Sequence, residues 1–197
     1  AGVTGTNVNL GATTLTTGGN NNTTAYAGVI GGTGGLTKIG SGTFTLSGDN
    51  TYTGVTRLNA GVLSVAAIGN GGVAGNLGAA TTVATNLVLG GGTLQYTGAS
   101  ASTNRNFILT NLTTSSIDVT ANNLTLAGAS TNTTGALTKL GAGTLTLSGA
   151  NLYTGLTTVS DGTLMYGANN ALAGGAVTVN DGATYDLNGF SDTIGAL

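Results

Sequence analysis

Residues 34–63 read GGLTKIGSGTFTLSGDNTYTGVTRLNAGVL, and residues 135–164 read GALTKLGAGTLTLSGANLYTGLTTVSDGTL, 101 positions further on and with 18 of the 30 positions identical. The replacements keep their character: Ile39 answers Leu140, and Phe44 answers Leu145. Self-similarity on this scale means one structural unit built twice. Inside each copy the pattern alternates, with Phe44 and Leu46 flanked by Thr43, Thr45 and Ser47, and Leu145 and Leu147 flanked by Thr144, Thr146 and Ser148. A period of two is the mark of a strand with one face turned inward.

The same alternation recurs at Leu63/Val65, Leu87/Leu89, Leu94/Tyr96, Phe107/Leu109, Ile117/Val119, Leu124/Leu126, Val177/Val179 and Tyr185/Leu187, separated by Gly, Asn or Asp turns. Short strands arriving this regularly suit a sandwich or a solenoid, and the repeat decides for the solenoid. Leu46 to Leu63 and Leu147 to Leu164 are both 17 positions apart, near the length of one coil of a parallel β-helix. The expectation is an all-β chain, one β-solenoid domain over residues 1–197 with two related units near 34–65 and 135–167. Roughly nine or ten coils would make a rod on the order of 50 Å. Leu, Val, Ile and Phe would fill its interior, and Thr, Ser and Asn would cover it. Gly40, Gly42, Gly48, Gly54 and Gly61 would supply positive φ at the corners.

Composition agrees and closes other doors. Only 5% of the residues are charged, against about a quarter in ordinary domains, yet 40% are hydrophobic, so the chain has a core to bury. Thirty-seven Gly with no Pro or His leave turn and β-branched residues dominant. Four basic residues, Lys38, Arg57, Arg105 and Lys139, and a net charge of −2 give no footprint for nucleic acid. No apolar run approaches the roughly 18 residues that span a bilayer, so no membrane span is expected in this segment.

The residues offer little chemistry. Without His, Cys or Glu there is no nucleophilic triad, thiol or zinc set. Asp181, Asp186 and Asp192 are the one acidic cluster to weigh as a glycosidase pair, and turn chemistry explains them better: Asp181 lies in Asn-Asp-Gly, and Asp186 points outward beside Tyr185 and Leu187. GGTGG at 31–35 and LGGGTL at 89–94 lack the Lys-Ser/Thr of a phosphate loop and read as corners. Lys38 and Lys139 occupy matching places and read as solvated corner residues that discourage sideways pairing. Tyr52 and Tyr153, in matching N-x-Y-T-G turns, read as covers packed on a corner rather than platforms for a sugar. The expectation is no catalytic, cofactor-binding or metal-binding residue, no cofactor, and no enzyme.

Residues 34–65 and 135–167 resemble the passenger-associated transport repeats, also called autotransporter-associated β-strand repeats, of bacterial type V secreted proteins. TLQYTGASASTNRNFIL at 93–109 and VTVNDGATYDLNGFSDTIGAL at 177–197 resemble the segments between such repeats. The resemblance implies a right-handed β-helix, secreted or displayed on a bacterial surface, that acts as a scaffold and brings no active site. It also implies that DTIGAL at the end runs on into a strand like VNLGATTLTTGGNN, which this chain carries near its start. The chain is therefore expected to be its own partner, head to tail, as a stacked rod or as one period of a longer array. The alternative is an adhesin passenger segment whose Thr, Asn or Tyr surface contacts glycans or a host surface.

Overall fold

The computed structural model describes residues 6–197. Its strands run from two residues, as at Val8–Asn9, to six at Thr114–Val119. Among the described residues every pairing between named strands is parallel. Parallel strands joined by only a short turn cannot pair with one another, so each pairs with its counterpart one coil away. The result is the expected β-solenoid, of about nine coils. One 3-10 turn, Ala84–Asn86, sits in its longest coil.

The coils wrap three faces. The first carries Leu15–Thr17, Leu36–Lys38, Thr56–Leu58, Leu87–Leu89 and Ile108–Leu109, and isolated bridges Phe107 to Ser130 and Asn151 to Leu172 extend it. The second is an unbroken eight-stranded sheet from Thr24–Tyr26 through Thr43–Leu46, Val62–Val65, Thr93–Tyr96, Thr114–Val119, Ala136–Leu140 and Thr157–Val159 to Val177–Val179. The third begins with Val8–Asn9 beside Ile30–Gly31 and ends with Ala101–Thr103, Asn123–Leu126, Thr144–Leu147, Thr163–Tyr166 and Thr184–Asp186.

Register corrects the expected spacing. Phe44 pairs with Leu63 and Leu46 with Val65, while Leu145 pairs with Leu164 and Leu147 with Tyr166, so one coil of the repeat advances the chain by 19 positions rather than 17. A slip of two residues keeps the same side chains inward, so alternation alone does not separate the two registers. Elsewhere the step is longer: 23 positions from Leu94 to Ile117, and 31 from Leu63 to Leu94.

The longer steps turn the two sequence copies relative to each other. In the first copy Leu36–Lys38 lies on the first face and Thr43–Leu46 on the second. In the second copy Ala136–Leu140 lies on the second face and Thr144–Leu147 on the third. Four coils carry the first face from Leu36 through Thr56, Leu87 and Ile108 to Ser130, and Ala136 begins one face beyond that. The offset of 101 positions is thus four coils and a face, and equal side chains point about a third of a turn apart.

The inward residues are where alternation puts them. Leu46, Leu63, Val65, Leu94, Ile117, Leu124, Leu145, Leu147 and Leu164 are all buried. Each contributes about 1.5–3 kcal/mol by leaving water. Leu187 is a correction: it is 42% exposed, because Asn188 N–H donates to the Asp186 carboxylate (2.7 Å) and the chain turns with Asn188 at φ 49°.

Glycine serves two purposes instead of the expected one. Gly40 and Gly61 adopt φ +67° and +61°, whereas Gly42, Gly48 and Gly54 do not turn left-handed at all. A Cβ on Gly48 would stand 2.1 Å from the Gly28 carbonyl oxygen, and one on Gly54 would stand 2.5 Å from that of Gly34. There the requirement is room for the backbone of the coil before, a constraint that only stacking creates.

Replacing Leu147 by Asp buries an unpaired carboxylate between two rungs, and should remove more than about 4 kcal/mol of stability or prevent folding. Thr146, on the opposite face of the same strand, is not the exposed residue alternation predicts: stacked between Thr125 and Met165 it is 6% exposed, so Thr146→Ser removes one covered methyl and should cost only about 1 kcal/mol. Urea unfolding curves of the two variants measure both, and equal losses would refute the inward and outward assignment.

Candidate functional site

The residues with most chemistry lie inside the coil rather than on it. Lys38 follows Leu36 by two positions, so the period that buries Leu36 buries Lys38 as well. It is 1% exposed, and Lys139 in the second copy is 0% exposed. This overturns their reading as solvated corner cations. The Lys38 ammonium donates to the carbonyls of Ile39 (2.6 Å), Gly40 (2.9 Å) and Ala60 (3.4 Å). Lys139 repeats the arrangement on Leu140 (3.0 Å), Gly141 (2.7 Å) and Asp161 (3.1 Å). A corner takes these carbonyls out of the ladder, and an ammonium supplies three donors to answer them. Gly61 follows from the same geometry, since a Cβ there would stand 2.7 Å from Lys38 Nζ.

The N-x-Y-T-G turns bury both their named side chains. Ile30 N–H donates to Asn50 Oδ1 (2.8 Å), and Asn50 Nδ2 donates to the Asn76 carbonyl (2.9 Å). Asn151 receives Ser130 N–H (3.2 Å) and donates to Gly149 and Ala171, both at 2.9 Å. Tyr52 and Tyr153 are buried, with hydroxyls bonded to Thr56 Oγ1 (2.6 Å) and Thr157 Oγ1 (2.8 Å). They are corner covers, as expected, and present no ring to a sugar.

Sequence reasoning missed Arg105. Its guanidinium is buried and gathers the long coil, donating to the carbonyls of Gly69 (2.9 Å), Ala80 (3.3 Å), Asn70 (3.3 Å), Val73 (3.5 Å) and Gly78 (2.6 Å). Its partners lie 25 to 36 positions away, and no local pattern announces them. Asn76, buried in that coil, accepts Ala66 N–H (3.1 Å) and Ala67 N–H (2.8 Å) and donates to Gly48 (3.0 Å).

The acidic residues are engaged one by one. Asp181 is exposed in its turn, Asp186 caps Asn188, and Asp192 accepts Leu172 N–H (3.1 Å) and Thr193 N–H (2.6 Å). Near Asp192, Tyr166 and Tyr185 meet edge to face with ring centroids 5.4 Å apart and hydroxyls in contact. Among the described residues no three His, Cys, Asp or Glu side chains gather as a metal site would need. The outer surface has a shallow groove of about 450 Å³ lined by Asn7, Val8, Asn9, Val29, Gly31, Gly32 and Thr51, with no charged group. No helix among the described residues is long and apolar enough to cross a membrane.

Burial sets the titration of these groups. It lowers Lys38, and it lowers Lys139 to about 8 against the opposing charges of Asp161 and Asp118. It lowers Arg105 as well, with Tyr52 opposing. It raises Tyr52 to about 12 against the Thr56 hydrogen bond and Arg105. Tyr153 and Tyr166 move the same way, Tyr153 against its bond to Thr157 and Tyr166 with Asp192 and Tyr185 adding to the effect.

Lys139→Met should cost about 2–3 kcal/mol by leaving corner carbonyls without a donor, which a denaturant midpoint at pH 7 reads directly. The pH profile has two limbs. Free Lys titrates at about 10.4, so between about 8 and 10.4 the unfolded chain holds more protons, and the Lys139 contribution makes stability rise with pH. Above about 10 the unfolded tyrosines lose protons that Tyr52, Tyr153 and Tyr166 keep when folded, so stability falls. Thermal unfolding from pH 7 to 12 should show a maximum near pH 10, and Lys139→Met should flatten its rising limb.

The model of the passenger-associated-transport-repeat family matches residues 36–65 and 137–165, the strands that carry both buried lysines. The adhesin BmaC autotransporter of Brucella suis biovar 1 (strain 1330) is 43% identical over 139 residues, which cover 68% of this chain and 4% of that protein. No solved structure matches the chain. The repeat match and the autotransporter relative place the chain outside the cell or at the bacterial cell surface. Two matched units within a continuous β-solenoid make this chain a member of the passenger-associated transport repeat proteins of bacterial autotransporters.

Proposed function

We propose that the chain is a non-enzymatic, structural stretch of an extracellular passenger β-helix, one β-solenoid domain whose work is length, stiffness and resistance to proteolysis. One observation carries the reading: three of the four cations and the tyrosines of both repeats are spent on the scaffold. The two lysines and Arg105 answer backbone carbonyls, and Tyr52 and Tyr153 answer threonines inside the coil. Among the described residues, what remains outside is largely Thr, Ser, Asn and Gly, and no set of groups converges there to bind or transform a ligand. No catalytic, cofactor or metal role is assigned to any residue. At about 4.8 Å per coil, nine coils give a rod of roughly 43 Å, which reaches cellular dimensions only by continuing into further copies. The continuation takes the form of a head-to-tail stack or of a tandem array in one giant chain.

A second reading, a segment that itself touches glycans or a host surface, is favoured by the name of the adhesin relative, of whose length this chain spans 4%. The isolated chain decides between them on a glycan array and in a panel of polysaccharide hydrolysis assays. The structural reading expects neither binding above background nor turnover. Saturable binding lost on substitution of Asn9 or Thr51 in the surface groove would establish the adhesin reading instead.

A further inference from the structure

We propose that Asp161–Gly162 is a modification site, where the aspartate closes onto its own chain as a succinimide and reopens as isoaspartate, with the buried Lys139 ammonium stabilising the charge that develops. The inference concerns one corner of the coil and holds whether the rod is a scaffold or an adhesin.

The corner itself dictates the glycine. Gly162 is left-handed at φ +59°, and a Cβ there would stand 2.5 Å from the carbonyl oxygens of both Gly141 and Gly143 in the coil before. Whatever occupies position 161 is therefore followed by a residue with no side chain to shield its nitrogen. Asp161 is exposed, and Gly162 N–H donates to its Oδ1 at 2.7 Å rather than to a carbonyl of the coil before. The carboxyl group and the nitrogen that must attack it are already in contact.

The second element is the cation. Lys139 Nζ donates at 3.1 Å to the Asp161 carbonyl, the oxygen of the same peptide unit to which Gly162 gives the nitrogen. Its bonds to Leu140 and Gly141 hold the ammonium in place. When the nitrogen sheds its proton, amide resonance spreads the negative charge onto that carbonyl oxygen. A donor fixed there beforehand stabilises the anion at no cost in reorganisation.

The step balances with water alone. Gly162 N loses its proton and bonds to Asp161 Cγ, and the protonated carboxyl group releases one oxygen as water. A second water adds to either ring carbonyl: opening at Cγ restores aspartate, and opening at the Asp161 backbone carbonyl leaves the chain running through Cγ as isoaspartate. No atom is gained or lost over the two steps.

Two other corners of the chain each hold part of this arrangement. In the first copy Lys38 donates to the Ala60 carbonyl (3.4 Å) and Gly61 has φ +61°, so cation and glycine are present and the carboxyl group is not. At Asp181–Gly182 the dipeptide is present with φ +80°, but both ammonium groups bond elsewhere. Asp181–Gly182 thus serves as the internal reference.

The test is prolonged incubation of the folded chain at neutral pH, followed by digestion and electron-transfer fragmentation, which separates isoaspartate from aspartate at each position. Isoaspartate should accumulate at Asp161 about tenfold or more faster than at Asp181, the gain expected of one charge-assisted hydrogen bond to the developing anion. A transient peptide lighter by one water should locate the succinimide at the same place. In concentrated urea the two dipeptides should react alike. Equal rates in the folded chain, or a preference for Asp161 that survives in urea, overturns the proposal. Lys139→Met, kept well below its own unfolding midpoint, should bring Asp161 down to the Asp181 rate; an unchanged or higher rate removes Lys139 from the step. Glycan binding by the chain would defeat the structural reading without altering any of these rates.

Discussion

Parallel stacking in register is the constraint on which the rest depends. When strands of successive coils pair at about 4.8 Å, each side chain lies on its counterpart above and below, and like charges in such a column repel. The outer columns accordingly carry mostly Thr, Ser and Asn, and Asp118, an acid standing in one of them, accepts the Gln95 amide (2.8 Å) of the coil before. A charged content of 5% is what this geometry tolerates.

Corners meet a different demand. A strand can hand its N–H and C=O groups to the next coil, but a short turn aims some carbonyls inward, away from water. Lys38, Lys139 and Arg105 answer them, each with several donors on one side chain. Their hydrogen-bond partners are neutral carbonyls, with no carboxylate among them. Such a cation is a hub tying a corner to its neighbour: Lys38 reaches Ala60 and Lys139 reaches Asp161, both 22 positions away. The scarcity of cations and their burial are one fact seen from two sides.

Much of this was legible in the chain. Alternation marked Phe44, Leu46, Leu145 and Leu147 as inward, and the repeat distinguished a solenoid from a sandwich. Tyr52 and Tyr153 were placed correctly as corner covers because an N-x-Y-T-G turn leaves a ring nowhere else to pack. Lys38 and Lys139 were misplaced because charge was weighed above period: two positions beyond a buried Leu, the alternation had already pointed them inward. Arg105 could not have been placed, since its partners lie on a coil brought to it only by stacking.

Sequence by itself determined the class of structure, through a period of two repeated in a unit that occurs twice. It determined as well which side chains fill the interior, because alternation assigns each residue a side whatever its neighbours are. Register, coil length and the turning of one copy against the other were decided by the tertiary structure. A slip of two positions preserves every inward side chain, so alternation leaves the coil step open; the structure takes the longer step, in which Gly48 and Gly54 lie against the backbone of the coil before. The longest coil, tied down by Arg105, together with the long coils that follow it, then sets the face on which the second copy begins.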